Sequence, residues 1–178
     1  MITILLATMV VLPMLGEWWV STRNERELRA LGAVEPSGDV YALMQVVYPA
    51  SFLAMIVECA QRDPSRDMLI AAGFTVFVGA KILKYWAITT LGVRWTFRVL
   101  VPPGSPLVSG GPYRFVRHPN YVAVLGELIG AALIAHAAIS GPAAVLAFGV
   151  LMLLRIRVEE RALGLGGERP VVSKTDAR

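Results

Sequence analysis

The feature that most constrains this chain is a series of five apolar segments separated by short polar stretches. Hydrophobic residues make up 56% of the chain and charged residues 17%, and the mean hydropathy is +0.60. Backbone polar groups in lipid must bond within their own segment, which favours helices. We therefore predict an all-α integral membrane protein with five transmembrane helices, over these segments: Ile2–Val20, Val40–Cys59, Met68–Gly92, Pro119–Ile139 and Ala143–Leu154.

The polar stretches between these segments complete the predicted organisation. Residues 21–39 predict a surface loop, and residues 94–101 alternate β-branched and aromatic residues, which predicts a short hairpin on the membrane face. Ser140-Gly141-Pro142 predicts a tight turn between helices 4 and 5, which form a helical hairpin. We expect one domain with these parts: helices 1 to 3 over 1–92, a cytoplasmic loop with helices 4 and 5 and a catalytic C-terminal helix over 93–163, and a polar tail over 164–178.

The distribution of lysine and arginine predicts the orientation in the membrane. With five crossings, thirteen of these residues flank one side and two, Arg62 and Arg66, flank the other. The excess of basic residues marks the cytoplasmic side. We therefore expect the N-terminus outside, with the C-terminus and the long loop in the cytoplasm.

Composition also excludes several classes of site. Cys59 is the one cysteine and the histidines are His118 and His136, so we predict neither a disulfide nor a metal site. The net charge of +4 could indicate nucleic acid, but the basic residues border apolar segments instead of forming one patch. The lipid bilayer accounts for them, and no nucleic-acid partner is expected.

The most distinctive polar stretch runs from Ser109 to Tyr121. Two glycines and a proline predict a turn, and Pro119 fits the first turn of helix 4 because its missing N–H would have no intrahelical partner there. Arg117 and His118 then lie at a helix N-terminus, where unpaired N–H groups favour an anionic group. The simpler alternative is that both only anchor the helix at the membrane surface.

A second polar cluster follows the fifth apolar segment. Arg155, Glu159 and Glu160 lie on a predicted extension of helix 5, and the short hairpin places them at the membrane level of the basic loop. Arg155 and Glu159 are four residues apart and are expected to share a face and pair. The two clusters together predict a charged pocket at the mouth of an apolar groove, suited to a lipophilic small molecule with a polar head.

Four ionisable residues lie within or beside the apolar segments. Glu127 follows Asn120 by seven residues, on the same face and about 10 Å deeper. It is either neutralised, by protonation or by pairing with an arginine, or functional, and the sequence leaves both open. Lys81 and Lys84 are interpreted as snorkelling toward the headgroups, and Glu17 as an interfacial residue.

The two clusters carry a resemblance to a known family. Gly111-Pro-Tyr-Arg-Phe-Val-Arg-His-Pro-Asn-Tyr121, followed by Arg155-Ile-Arg-Val-Glu-Glu160, resembles the bipartite signature of the isoprenylcysteine carboxyl methyltransferase family. The resemblance implies S-adenosyl-L-methionine as methyl donor, bound beneath the cytoplasmic loop. It implies the following cofactor-binding residues: Ser105, Pro106, Leu107, Val108, Tyr113, Arg117, His118, Pro119, Asn120, Tyr121, Glu159 and Glu160.

The resemblance also bears on catalysis and on the acceptor. Arg155 matches the family arginine beside the reacting group, with Glu159 next to it, and Glu127 is added as a residue that helps deprotonate a hydroxyl. The three motifs, including Arg94-Trp-Thr-Phe-Arg-Val-Leu-Val101, are similar to a bacterial branch that methylates long-chain alkylpyrones or alkylresorcinols. This similarity implies an inner-membrane O-methyltransferase that acts on a ring hydroxyl.

Three other functions stay open at this stage. Two are enzymatic: carboxyl methylation of a prenylated cysteine and N-methylation of a lipid headgroup. The third is a small membrane transporter in which Glu127, Lys81 and Lys84 form an ion path. The sequence indicates no oligomeric state.

Overall fold

The computed structural model describes residues 2–62, 68–104 and 107–162. Within these residues the chain forms five α-helices: α1 (Ile2–Ala30), α2 (Tyr41–Arg62), α3 (Met68–Leu91), α4 (Pro119–Ala135) and α5 (Ser140–Ala162). Single 3₁₀ turns occupy Gly92–Arg94 and Gly111–Arg114. No β-strand occurs in the described residues, so the prediction of an all-α protein is confirmed.

Four of these helices, α1, α2, α3 and α5, are long and apolar enough to cross a membrane. They expose many large apolar side chains outward, as lipid contact requires, and identify an integral membrane protein. α4 is apolar but has only 17 residues. It packs against α2, α3 and α5, with much of its length buried among them. A fifth crossing by α4 therefore stays a prediction.

The closest helix pair is α3 with α4, and small residues make it possible. Gly126 and Gly130 are one turn apart on α4 and face Ala80, Phe77 and Gly73 of α3. A Cβ on Gly130 would lie 2.7 Å from the Phe77 nitrogen, and one on Gly126 would lie 2.8 Å from the Ala80 Cβ. Small residues at this spacing let membrane helices approach backbone to backbone.

The apolar core lies where α2, α4 and α5 meet. Met55 and Leu128 are fully buried there. The ring of Tyr48 lies 4.9 Å from that of Phe52 and 5.1 Å from that of Phe148, measured between centroids. These contacts place the Tyr48 side chain among α2, α4 and α5, beside the cavity described below.

The prediction of a surface loop over residues 21–39 was wrong for its first half, because α1 continues to Ala30. The buried face of this polar extension is Ser21, Asn24 and Leu28. Asn24 donates from Nδ2 to the carbonyls of Gly92 (3.1 Å) and Trp95 (2.8 Å). The extension stays helical because its polar side chains bond the segment that follows α3.

The predicted hairpin at residues 94–101 was also wrong. A 3₁₀ turn ends at Arg94, and the backbone N–H of Phe97 then donates to the Ser21 hydroxyl at 2.8 Å. Val101 forms an isolated antiparallel bridge with Val34. The alternating side chains therefore reflect a segment packed against the end of α1, with its bridging partner outside the segment.

The boundary between helices 4 and 5 differs from the prediction. α4 ends at Ala135 because His136 adopts a left-handed conformation (φ 50°), and the Ala137 N–H then bonds the Ala132 carbonyl at 2.9 Å. The turn covers residues 136–139, and Ser140 already begins α5. The prediction that helix 5 continues through its charged residues is confirmed, since α5 reaches Ala162.

Candidate functional site

A cavity of about 900 Å³ lies within the bundle and reaches the loop before α4. At one end, called here the loop end, it is lined by His118, Tyr121 and Glu159. At the other, called the inner end, it is lined by Glu17, Tyr48 and Lys84. Apolar side chains lie between them, among them Met44, Val124 and Phe148. The cavity thus has polar groups at both ends and apolar walls.

The loop before α4 lies against the end of α3. Gly111 has a positive φ of 55°, and a Cβ there would clash with the Thr90 hydroxyl. Glycine meets both constraints, since it adopts this conformation without steric cost. The rings of Phe115 and Trp86 add a contact at 6.4 Å between centroids. This placement brings His118 to the position that precedes the first residue of α4.

Hydrogen bonds join the start of α4 to the end of α5. The Tyr121 hydroxyl donates to Glu159 at 2.8 Å. The His118 ring lies with Nε2 3.2 Å from Glu160 and Nδ1 3.8 Å from Glu159. The structure therefore brings together the two polar clusters that the sequence placed at one membrane level.

The other predicted cofactor residues fall into three groups. Those that line the cavity are Leu107, Val108, Tyr113, Arg117 and Asn120. Two residues pack beside it without lining it, Pro119 and Glu160. Ser105 and Pro106 lie outside the described residues.

Two of the lining residues have environments that bear on binding. The Arg117 side chain is 82% exposed and 3.9 Å from Glu160, so its guanidinium lies at the cavity rim. Burial, with a further contribution from the charge of Glu159, raises the pKa of Tyr113 above its usual range. The Tyr113 hydroxyl therefore stays protonated and can donate a hydrogen bond.

Arg155 is buried in the wall between the two ends, but its partners differ from the prediction. The expected pairing with Glu159 was wrong, because Glu159 binds Tyr121 while the Arg155 guanidinium donates to the Phe97 carbonyl. Asp39 is its nearest carboxylate, at 3.7 Å. Within the described residues, Arg155 Nε and both Asp39 oxygens have no hydrogen-bond partner. Arg155 thus retains an unused donor beside the cavity.

The inner end holds a ring of four buried charges, called here the inner cluster, made of Glu17, Lys81, Lys84 and Glu127. Lys81 lies 2.8 Å from Glu17 and 3.0 Å from Glu127. Lys84 lies 2.7 Å from Glu17 and 3.2 Å from Glu127. Each ammonium group therefore contacts both carboxylates, and two charges of each sign cancel.

This cluster corrects three interpretations made from the sequence. Lys81 and Lys84 do not snorkel toward the headgroups, since their side chains are only 10% and 3% exposed. Glu17 is not interfacial, because its side chain is 2% exposed within the bundle. Glu127 pairs with two lysines, whereas the neutralised alternative considered from the sequence involved a proton or an arginine; the functional alternative stays open. The presence of acids as well as lysines within the apolar segments was the available signal.

Glu127 lies behind the cavity wall. Its carboxylate accepts a hydrogen bond from the Tyr48 hydroxyl, and Tyr48 lines the cavity where Glu127 does not. Sequence reasoning missed Tyr48, Glu17 and Asp39 as site residues. Glu17 and Tyr48 line the cavity, and Asp39 lies beside Arg155.

Comparison with known proteins identifies a family for this chain. The profile of the isoprenylcysteine carboxyl methyltransferase (ICMT) family matches residues 71–164. A Bacillus subtilis (strain 168) protein named "Uncharacterized protein YpbQ" is 32% identical over 161 residues, which cover 89% of this chain and 95% of that relative. A Haemophilus influenzae protein named "Uncharacterized protein" is 26% identical over 145 residues, 81% of this chain and 84% of that relative.

No solved structure matches the chain. The family match covers most of α3, the loop before α4, α4 and α5, and it therefore includes both signature motifs. On this match and on the similarity to the B. subtilis relative, the chain belongs to the isoprenylcysteine carboxyl methyltransferase family, a family of methyltransferases.

Proposed function

We propose that this protein is a membrane-embedded, S-adenosylmethionine-dependent O-methyltransferase whose acceptor is lipophilic, with a ring hydroxyl of a long-chain alkylpyrone or alkylresorcinol as the methylated group. The observation that carries the proposal is the cavity. It joins the two family motifs at its loop end to apolar walls inside a membrane bundle. A polar cofactor and a lipophilic acceptor can therefore bind in the same cavity.

The residues at the loop end fit the proposed cofactor. Glu159 offers a carboxylate for a cationic group, and His118, Asn120 and Tyr113 offer hydrogen-bonding groups. Leu107, which also lines the cavity, offers an apolar surface for a purine ring. S-adenosylmethionine carries all three kinds of group and would supply an activated methyl group on a sulfonium.

Arg155 is the residue best placed to act on the acceptor. Its guanidinium is fixed by the Phe97 carbonyl and by Asp39, and it lines the cavity one helical turn inward from Glu159. A fixed cation there stabilises an acceptor oxygen as its anion, so the proton leaves to water at the loop end. S-adenosylmethionine, when bound at the loop end, would supply the methyl group to this oxygen and leave as the neutral thioether. Arg155 would hold the acceptor oxygen in place, and the apolar walls would limit competing water.

Glu127 has a different part in this proposal from that of a direct base. Its carboxylate is held by Lys81, Lys84 and Tyr48 and does not reach the cavity. It is better placed to position Tyr48 and Lys84. Direct proton transfer to Glu127 stays a prediction.

Carboxyl methylation is the second candidate, and Arg155 is the observation that favours it. A guanidinium forms charge-assisted hydrogen bonds with a carboxylate as well as with a phenolate. Glu159 also lines the cavity and would repel a substrate carboxylate. We therefore place the ring hydroxyl first.

The proposed orientation puts the loop end in the cytoplasm, where the cofactor is made, and the N-terminus outside. It follows from the basic residues that flank this end. Cysteine accessibility in intact cells tests it, with single cysteines introduced at exposed Arg117 and, in a second variant, near the start of α5. The Arg117 site should be protected from an impermeant thiol reagent.

The function itself is tested by methyl transfer from labelled S-adenosylmethionine to four acceptors offered in parallel: a long-chain alkylpyrone, an alkylresorcinol, a prenylated cysteine and phosphatidylethanolamine. Label on a ring oxygen supports the proposal. Label as a base-labile methyl ester supports carboxyl methylation, and label on nitrogen supports the headgroup enzyme. Ion flux in liposomes without cofactor binding would favour a transporter.

A further inference from the structure

The inner cluster is hard to explain as a device for stability alone. Four ionised side chains are enclosed in a membrane bundle, and all four residues are at most 8% exposed. Apolar residues of similar volume are often as stabilising as a buried ion pair, because desolvation offsets much of the attraction. Ionisable residues inside a membrane protein therefore indicate a functional site.

The cluster presents one side to the cavity. Lys84 and Glu17 line it together with Tyr48, while Lys81 and Glu127 close the ring behind them. The Tyr48 hydroxyl donates a hydrogen bond to Glu127, so its oxygen can still accept a hydrogen bond from another group. Lys84 has three N–H groups. Its partners in the described residues are Glu17 at 2.7 Å and Glu127, whose two oxygens lie at 3.2 and 3.5 Å.

Tyr48 and Lys84 therefore offer an acceptor and a donor next to each other. The Lys84 ammonium lies 5.6 Å from the centre of the Tyr48 ring. A ligand hydroxyl group can donate a hydrogen bond to the Tyr48 oxygen and accept one from Lys84, whereas an alkyl chain can do neither. The nearby walls are apolar, with Val124 and Phe148 lining the same space.

The inner cluster is also too deep to bind the cofactor groups held at the loop end. Glu127 follows Tyr121 by six residues on α4, which separates the two levels by about 9 Å. Arg155 lies between them, one turn inward from Glu159. An acceptor head that reaches Arg155 with one oxygen can thus reach the inner cluster with a second.

We infer that the inner end is a second recognition site for the acceptor, in which Lys84 and Tyr48 bind a second oxygen on its polar head. The inference rests on the proposed function, because it takes the acceptor to occupy this cavity. It goes beyond that function by assigning specificity: the enzyme selects amphiphiles with two hydrogen-bonding oxygens on one ring. Glu17, Lys81 and Glu127 act as positioning residues that hold the pair.

Equilibrium binding to the full-length protein in lipid nanodiscs tests this site without turnover. The two probes are an alkylresorcinol and the alkylphenol of the same chain length, which lacks one hydroxyl. We expect the alkylresorcinol to bind about tenfold or more tightly, since the phenol leaves buried polar groups unmet. Tyr48→Phe should reduce this preference to about threefold or less. Tyr85→Phe, on an exposed face of α3, should leave it unchanged.

A second variant guards against a change that only unsettles the fold. Lys84→Met combined with Glu127→Gln removes one charge of each sign, and it too should remove the preference. Equal binding of both probes to the wild type, binding of neither, or a full preference in both variants would overturn the inference and leave the cluster a structural core. Methyl transfer is measured separately on the same preparation, so failure of the proposed function is seen independently.

Discussion

At the loop end of the cavity, Glu159 and Glu160 meet their hydroxyl, imidazole and guanidinium partners at 2.8–3.9 Å, and both side chains are 29% accessible. At the inner end, four charges meet at 2.7–3.2 Å and none of their side chains is more than 10% accessible. In the wall between the two ends, Asp39 and Arg155 have polar atoms without a hydrogen-bond partner in the described residues. At the inner end, each charge has oppositely charged neighbours within 3.2 Å.

The difference indicates two kinds of task. The partly exposed groups of the loop end can bind a charged ligand and release it again, because solvent reaches them. A closed, neutral ring in low dielectric is fixed before any ligand binds, because separating its charges is costly. The loop end is thus suited to exchange of a charged cofactor, and the inner end to recognition of a neutral polar group.

The largest expected effect on stability comes from removing one charge of the inner cluster. Lys81→Met leaves two buried carboxylates with one ammonium group, and we expect the free energy of unfolding to fall by about 3–5 kcal/mol. Chemical unfolding in mild detergent measures it. Adding Glu17→Gln restores neutrality and should recover most of the loss. A single variant as stable as the wild type would show that the ring does not hold the bundle.

The proposed catalytic role of the cavity wall between the two ends is tested at Arg155. We expect Arg155→Ala to lower turnover at least about a hundredfold, equivalent to about 3 kcal/mol, because the acceptor oxygen loses its counter-charge. Cofactor affinity, measured by calorimetry, should stay within about twofold. The matched control is Arg157→Ala, an exposed arginine on the same helix. Equal turnover in both variants would contradict the role of Arg155.

The inner cluster depends on the close approach of α3 and α4, which Gly130 tests. A valine there would press on the Phe77 nitrogen and the Gly73 carbonyl. We expect Gly130→Val to destabilise the bundle by about 1–3 kcal/mol or more, measured by thermal unfolding. Gly149→Val on α5 is the control, since nothing lies within 4 Å of its Cβ position. Similar melting of the two variants would argue against this helix contact.

Cofactor binding at the loop end is tested by two variants, each of which removes one side chain. His118→Ala and Glu159→Ala should each weaken cofactor binding about tenfold, because each removes a charged or charge-assisted hydrogen bond. Arg114→Ala, an exposed residue of the same loop, should bind normally. If His118 and Glu159 variants bind the cofactor as the wild type does, the cofactor lies elsewhere.

The smallest expected effect concerns the contacts of Glu35 with Arg29 on α1 and with Arg98, which lines the cavity. Burial opposes ionisation of Glu35, but hydrogen bonds from Arg29 and Arg98 outweigh it and lower the pKa of this carboxyl below 4.5. Stability from Glu35 is therefore present above that value and is lost as pH falls through the folded-state pKa. The gain is well under 1 kcal/mol, since the pair is partly exposed. Melting temperatures of the wild type and Glu35→Gln should converge on acidification.

Periodicity and motifs predicted much of the helical framework. α2 and α3 fall where apolar runs indicated them, and α5 continues through Arg155 as the charge pattern suggested. The meeting of His118 with Glu159 and Glu160 followed from the short connection between α4 and α5. These features depend on local sequence, which explains why the sequence revealed them.

The remaining features depend on distant partners. Ser21 and Asn24 extend α1 because they bond backbone groups near Trp95, some seventy residues away along the chain. The inner cluster unites α1, α3 and α4, and no local pattern shows that Glu17 meets Lys81. The apolar segments contain acids as well as lysines, but which of them pair depends on how the helices pack.

Methyl transfer by the purified protein in lipid, from labelled S-adenosylmethionine, tests the central claim most directly. The wild type is compared with Arg155→Ala, with an alkylresorcinol or a long-chain alkylpyrone as acceptor. We expect label on a ring oxygen with the wild type and near-background label with the variant. Absence of transfer to both acceptors, together with absence of cofactor binding, would contradict this function.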